Sequence, residues 1–420
     1  MLSMTNTVQT TPDGVPLHPL VAPAVVNAMT NYQRCAVCVM DTTDPQIVFD
    51  QNGVCNHCLG FRQEAPHVWH PNDRGVAHIR AWAARVKEEN KNNEYDCIMG
   101  LSGGTDSTFM AVQAHRLGLR PLVVHVDTGW NSELAVKNIE NVVRKLGFDL
   151  HTEVIDWGEM KDLQIAFLRA GLANQDTPQD HAIFGTLYKL AISSGIKHLL
   201  SGINYATECI LPRAWGHNAL DGRQLRAVHK RFGKRPLATF PVLSFSEYCS
   251  YQFRFPQANF ESFPILNFMP YSKAAAMEFL QSEYGFRDYG AKHYESRFTK
   301  FFQSYFLPVK FGYDKRLAHL SSLVVTGQMS RAEALEQLGR PPFKEAEIEE
   351  DKTFFIKKLG LTPEEFEAIM QAPNRSFQDY PNHADNIRQM NEIRSGMSQL
   401  HTDMKALQER WNALSAATDA

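Results

Sequence analysis

No stretch of this chain is apolar for long enough to cross a bilayer. Lysine and arginine are missing from the first 33 residues, which argues against a secretory leader with a positively charged start. Neither sign of charge is in real surplus: 43 Lys and Arg face 46 Asp and Glu, a net charge of −3. That balance argues against a mainly electrostatic nucleic-acid binder, while a local basic groove stays open. Cysteine is sparse, seven in 420 residues, and four of the seven fall into two C-x-x-C pairs. Such usage fits a metal site in a reducing compartment better than a disulfide framework, so a cytosolic location is expected. Internal repeats are lacking too. What is present, 44% hydrophobic and 21% charged residues, suffices for two or three soluble domains.

The most informative stretch is Ser102-Gly103-Gly104-Thr105-Asp106-Ser107. It follows the apolar run Tyr95–Leu101 and precedes a helical pattern from Thr108. Strand, glycine turn and helix in that order gather backbone N–H groups at a helix N-terminus, a setting that suits phosphate. Two glycines allow positive φ and close approach of an anion. Ser102, Thr105 and Ser107 add hydroxyls, and Asp106 adds a carboxylate suited to Mg²⁺. No Gly-Lys-Ser/Thr follows the turn, so it is not a Walker A loop.

From Tyr95 onward strands and helices alternate. Strands are expected at Pro121–Asp127, Phe148–Ile155 and His198–Gly202, with helices near Ser132–Leu146, Glu159–Ala170 and Asp180–Ser194. This predicts an α/β fold with a doubly wound parallel sheet and ligands at the carboxyl ends of its strands. His125-Val126-Asp127 ends the second strand, where Asp127 either lines a ligand or caps the next turn. Ser201-Gly202 ends a later strand, and Glu208 follows as either a second Mg²⁺ carboxylate or an ordinary first-turn glutamate. After residue 210 the pattern is less regular. Phe232–Phe268 is dense in Phe, Tyr and Pro, and the aromatics of Tyr248–Phe268 serve core packing or stack on a sugar or base. Helices resume with Lys273–Tyr284, Glu295–Tyr305, Ser330–Leu338 and Thr362–Gln371.

Cys35, Cys38, Cys55 and Cys58 form C-x2-C-x16-C-x2-C. Four thiolates make a closed structural zinc site, with an iron–sulfur cluster as the competitor, and no open position for catalysis. His57, His67 and His70 lie near but are not needed as ligands. Near the other end, Met390, Ile393, Met397, Leu400, Met404, Leu407, Trp411 and Leu414 are spaced 3-4-3-4-3-4-3. That stripe is either an interchain coiled coil or a helix packed on its own domain. The organisation expected is thus a flexible lead-in (1–33), a zinc ribbon (34–60), the nucleotide domain (61–210), a mostly helical substrate and C-terminal region (211–380) and a heptad helix (385–416).

The glycine turn resembles the SGGxDS motif of the PP-loop ATP pyrophosphatases, an adenine nucleotide alpha hydrolase-like fold that cleaves ATP to AMP and pyrophosphate. The ribbon, the turn, His125–Glu133, Lys292–Ser296 and Lys310–Arg316 together are similar to the N-acetyl sugar amidotransferases of bacterial surface-polysaccharide (LPS O-antigen) and nonulosonic acid biosynthesis. The resemblance spans residues 33–345. It implies ATP, Mg²⁺ and Zn²⁺, with Ser102–Ser107, His125, Val126, Asp127, Ser201, Gly202 and Glu208 at the nucleotide. It puts Asp106, Ser107, Lys292, Lys315 and Arg316 at the chemistry, with Lys310 beside them. The implied reaction turns an acetamido group of a sugar or sugar nucleotide into an acetamidino group through an O-adenylyl imidate and ammonia.

No Cys–His glutaminase module is recognisable in the sequence, so the resemblance implies a separate class-I glutaminase and a cyclase-like protein that channels ammonia. Arg213, Arg223, Arg226, Lys230, Arg231, Lys234 and Arg235 either hold a nucleoside diphosphate carrier or form a solvated basic face. Three rivals remain. Glutamine-dependent synthetases such as those making GMP or asparagine are the weakest, because this chain lacks their fused glutaminase. A PP-loop tRNA thiolase would need catalytic cysteines near the loop or an iron–sulfur cluster, with Cys209 the one candidate outside the ribbon. A zinc-ribbon adaptor with a dead nucleotide fold would have no use for the intact glycine turn.

Overall fold

The alternation between residues 95 and 202 becomes one parallel sheet. In this computed structural model residues 10–15, 32–253, 260–288, 290, 295–343, 345–397, 400 and 404 are described. Strands β1 (Cys97–Gly100), β2 (Pro121–Asp127), β3 (Leu150–Val154), β4 (His198–Ser201) and β5 (Glu261–Pro264) lie in the order β3-β2-β1-β4-β5. Every neighbouring pair is parallel, with Ile98 opposite Leu122 on one side and Leu199 on the other. Helices Thr105–Arg116, Glu133–Leu146, Trp157–Ala170 and Thr177–Ser193 supply the crossovers.

Side chains alternate across each strand, so a strand buried on both faces feeds two cores. Ile98, Leu122, Val124, Val126 and Leu199 join Leu163, Phe167 and Leu187 from the helices on one face. Cys97, Met99, Val123 and Leu200 join Trp82, Met110 and Ile139 on the other. Each such side chain contributes about 1.5–3 kcal/mol by leaving water. The sheet is doubly wound, as the alternation predicts.

β5 comes from beyond residue 210, where the sequence offered no clean alternation. It is four residues long and is set beside β4 by charge as well as backbone. The Glu261 carboxylate meets His198 Nδ1 at 3.2 Å and Arg85 at 2.6 Å. The hydrogen bond with His198, then the one from Arg85, outweighs burial and holds the Glu261 carboxyl down to about 2. The aromatics of this region pack rather than line a site: Tyr251 stacks on Tyr188 at 4.2 Å and Phe263 on Trp82 at 4.4 Å.

The helical C-terminal region closes over the first core. Phe298, Phe301, Phe355 and Phe366 bury their rings there beside Trp130. Arg297–Phe301, a π-helical turn at Phe302–Phe306 and Leu307–Phe311 follow one another without interruption. A third core joins the cysteine knuckles to helices Lys315–Val325 and Arg331–Leu338. Among the described residues no helix is long and apolar enough to cross a membrane.

Candidate nucleotide site

β1 pairs with β2 on one side and β4 on the other, while the chain runs β1-β2-β3 before returning to β4. The direction of winding therefore reverses between β1 and β4, and a crevice opens beyond their carboxyl ends. Both glycine-bearing motifs stand at this point. A Cβ on Gly202, just after β4, would lie 3.6 Å from the Ser107 Cα.

The turn is tied by its own hydroxyls. Ser102 N–H donates to Ser107 Oγ at 3.2 Å, Gly104 N–H to Ser102 Oγ at 3.2 Å, and the two hydroxyl oxygens lie 3.1 Å apart. Gly103 takes φ +78°, and a Cβ there would collide with the Ala135 carbonyl, so only glycine fits. Gly104 begins the helix Thr105–Arg116 without a capping side chain, whereas Ser132, Asp156 and Asn204 cap theirs. A helix start of that kind, with hydroxyls at its rim, fits phosphate oxygens.

Asp106 is held from two sides. Asn204 Nδ2 donates to its Oδ2 at 2.9 Å, and the Tyr271 hydroxyl donates to its Oδ1. Backbone N–H of Asn204 also reaches Glu208 Oε2 at 3.5 Å, so one buried asparagine ties both carboxylates. Carboxylate oxygens are the donors a hard divalent cation takes, and Asp106 stands beside the glycine turn.

Other expected site residues are placed differently. His125 is a pin between strand ends: its Nδ1 faces Leu101 O at 3.0 Å and its Nε2 faces Asn131 Nδ2 at 3.1 Å. Val126 is core. Asp127 accepts from Gly129 N–H at 2.8 Å and Asn131 at 3.1 Å, which caps the turn. The Ser201 hydroxyl accepts from Ile203 N–H at 3.3 Å.

Arg316 does not reach the turn through its guanidinium. That group grips Asp314 at 2.6 Å and the Arg340 carbonyl at 2.6 Å, next to the knuckle core. Lys315 begins the same helix, Lys315–Val325. Lys310 is buried and caps the helix Pro363–Gln371 through the Met370 and Ala372 carbonyls at 3.1 and 2.6 Å, and burial lowers its ammonium pKa. Lys292 lies outside the described residues. The basic stretch stays solvated: Arg226, Lys230 and Lys234 are exposed on or after the helix Gly222–Phe232, and Arg231 lies over the Tyr380 ring.

The sequence reading missed Asn204 and Tyr271 as site residues. Tyr271 had no signal, since it sits in an aromatic stretch. Asn204 had one, because an Asn two residues past a strand-end glycine is a ready helix cap.

At the knuckles the four sulfur atoms lie within 4.8 Å of one another, with Cys35–Cys58 at 3.8 Å and Cys38–Cys55 at 3.6 Å. Tetrahedral Zn–S bonds give sulfur–sulfur edges of about 3.8 Å. Backbone N–H groups of Val37, Met40 and Cys55 point at Cys35 or Cys38 sulfur at 3.3 to 3.4 Å, which favours thiolates. Four buried sulfurs at these distances fit one zinc ion. His57 instead meets Asp44 at 2.7 Å.

Sheet order and glycine turn together make an α/β fold with a doubly wound parallel sheet and a candidate anion site at its winding reversal, preceded by a buried cysteine cluster. Residues 295–394 match the family described as LPS biosynthesis protein WbpG-like, C-terminal domain. No curated protein matches the chain. Among solved structures it is similar to an NMN synthetase from Francisella tularensis at 19% identity and TM-score 0.27, over 32% of this chain and 55% of that one. An NH3-dependent NAD synthetase from Campylobacter jejuni is similar at 14% identity and TM-score 0.29, over 62% of this chain and 95% of that one. Likeness that distant says nothing of activity.

Proposed function

We propose that the protein is an ATP-dependent amidotransferase that converts an N-acetyl group of a sugar or sugar nucleotide into an acetamidino group for a bacterial surface glycan. The observation that carries the reading is the pair of motifs at the β1/β4 reversal, with Asp106 clamped by Asn204 and Tyr271 beside the phosphate-binding turn. The WbpG-like segment 295–394 supports the glycan class of substrate.

An amide carbonyl is a poor electrophile, so its oxygen must first become a leaving group. Attack of that oxygen on the α-phosphorus of ATP forms an O-adenylyl imidate and releases pyrophosphate. Ammonia then adds to the imidate carbon and AMP departs with the former amide oxygen. Ser102, Ser107 and the turn N–H groups would hold the departing pyrophosphate, and Asp106 with Glu208 would hold Mg²⁺. Mg²⁺ supplies neutralisation of the charge that gathers on the leaving group. Zinc at Cys35, Cys38, Cys55 and Cys58 would be structural. Ammonia would come from a separate class-I glutaminase with a cyclase-like channelling protein, and the C-terminal heptads would join two copies of the chain.

The thiolase reading is left with Cys209 as its one partly exposed cysteine outside the knuckles, and a Cys209→Ala variant with full turnover excludes it. Cys97 and Cys249 are buried with thiol pKa values raised by that burial, and Cys209 packs beside the knuckles. The deciding experiment incubates protein, Mg-ATP and ammonium with a panel of acetamido sugar nucleotides. The expected product is lighter than substrate by about one dalton and is cationic, as replacement of =O by =NH requires. AMP release without such a product, or thiolated RNA, ends the reading. Turnover driven by glutamine with the chain alone ends the separate-glutaminase part.

A further inference from the structure

We propose that Phe61 and Tyr205 form the platform on which the pyranose ring of the acetamido sugar lies. The inference rests on the amidotransferase reading and deepens it by naming where the sugar ring is held.

The two aromatic rings come from distant parts of the chain. Phe61 stands on the helix Asn56–Val68, which begins directly after Cys55 and so takes its place from the knuckle loop. Tyr205 begins the short helix Tyr205–Glu208 directly after Asn204, the residue whose amide holds Asp106. Its backbone N–H donates to Asn267 Oδ1 at 2.6 Å. The rings stack with centroids 5.7 Å apart and 20° between their planes. Trp69 backs both, at 6.1 Å from Phe61 and 6.5 Å from Tyr205, and is itself packed against the second core. Core packing therefore accounts for Trp69 but not for the other two. Phe61 and Tyr205 are half-buried and belong to none of the three cores formed by the described residues. Ile203, on the other side of Asn204, is 57% exposed. An apolar surface is thus left open one residue away from the holder of Asp106.

A carboxylate marks its border. The Tyr205 hydroxyl donates to Glu64 Oε2 at 3.3 Å. Glu64 is exposed and stands three residues after Phe61, on the same face of the helix. Burial, then the Glu64 charge, raises the Tyr205 pKa, so the phenol stays protonated and keeps donating. A pyranose has the matching make-up. Its C–H face suits the negative face of an aromatic ring, and the hydroxyls at its rim donate to a carboxylate. The same carboxylate turns away the diphosphate of a carrier. This surface therefore takes the neutral sugar ring, and the carrier's phosphates lie elsewhere.

Saturation-transfer NMR on the methyl glycosides of N-acetylglucosamine, N-acetylgalactosamine and N-acetylmannosamine tests this, because it reads weak binding and reports which sugar protons touch the protein. At least one glycoside should show saturation concentrated on its ring C–H protons. Tyr205→Leu and Phe61→Leu should each weaken its binding about tenfold, the loss expected of one stacked ring. Calorimetric affinity for Mg-ATP should not move in either variant. Tyr205→Phe keeps the ring and should bind the glycoside more tightly than Tyr205→Leu. Saturation of none of the three glycosides overturns the proposal, as does binding that ignores both leucine variants. Loss of glycoside and Mg-ATP in equal measure shows a collapsed crevice and overturns it too. Should Tyr205→Leu melt early, Phe61→Leu on the other helix decides. Amidination by a chain in which the two rings do not matter removes the platform and leaves the proposed function. Ring-dependent sugar binding without amidination does the reverse.

Discussion

His181 shows what one buried titratable side chain does to the molecule. Its Nδ1 lies 2.7 Å from the Ala219 carbonyl, and its Nε2 accepts from Leu243 N–H at 2.9 Å. The ring is therefore neutral with its proton on Nδ1, and desolvation lowers its pKa from 6.5 to about 4. The unfolded chain takes up a proton near 6.5 while the folded chain refuses it until about 4. Stability from this residue is complete above 6.5 and is lost as pH falls through that window, by about 3 kcal/mol in total. Urea unfolding at a series of pH values should show that slope, and His181→Gln should flatten it. An unaltered slope in the variant assigns the acid sensitivity elsewhere. The same scale explains what could be read beforehand at the site. Asp106 was legible because its motif is local. Tyr271 was not, because its partner is 165 residues away and no local pattern marks a phenol as the holder of a carboxylate.

Elements were legible where burial imposes a period. β2 and the helix Lys273–Tyr284 fall on the boundaries that apolar spacing predicts. β5 escaped because four residues in an aromatic stretch carry no alternation, and its place is set by Arg85 and His198 from elsewhere. The helices Gly222–Phe232 and Glu345–Leu359 escaped because charged side chains fill their exposed faces. The knuckle core joins what local spacing could read to what it could not. Arg331 reaches the Cys38 and Cys35 carbonyls at 3.0 Å each, and Ser321 accepts from Val39 N–H at 3.1 Å. Helices Lys315–Val325 and Arg331–Leu338 therefore lean on the metal loops. Removing zinc should loosen this unit ahead of the sheet. Differential scanning calorimetry with a strong chelator should resolve an early transition that added Zn²⁺ abolishes. A chain without bound zinc and indifferent to chelator would leave the cysteines as plain core.

At the scale of the whole molecule, the heptad stripe has no partner in its own chain along the part described. Residues 384–397 are helical, and Ile393, Met397, Leu400 and Met404 are 56%, 66%, 63% and 66% exposed, while Leu407, Trp411 and Leu414 lie outside the described residues. Of the two readings of the stripe, packing on its own domain does not hold for these four positions. Apolar side chains at a and d positions on one face are complementary to themselves about a two-fold axis, so a second copy would supply the missing surface. Glycine at 396 falls outside that seam and weakens the isolated helix, which makes helix formation depend on pairing. Light scattering should therefore report the mass of two chains. Ile393→Glu combined with Leu400→Glu should reduce it to one, because buried charges at two seam positions one heptad apart face their own copies. The sheet's thermal transition should stay where it was, since neither position touches it. A wild-type protein that runs as one chain at micromolar concentration, or a double variant that still pairs, removes the seam as the joint between copies.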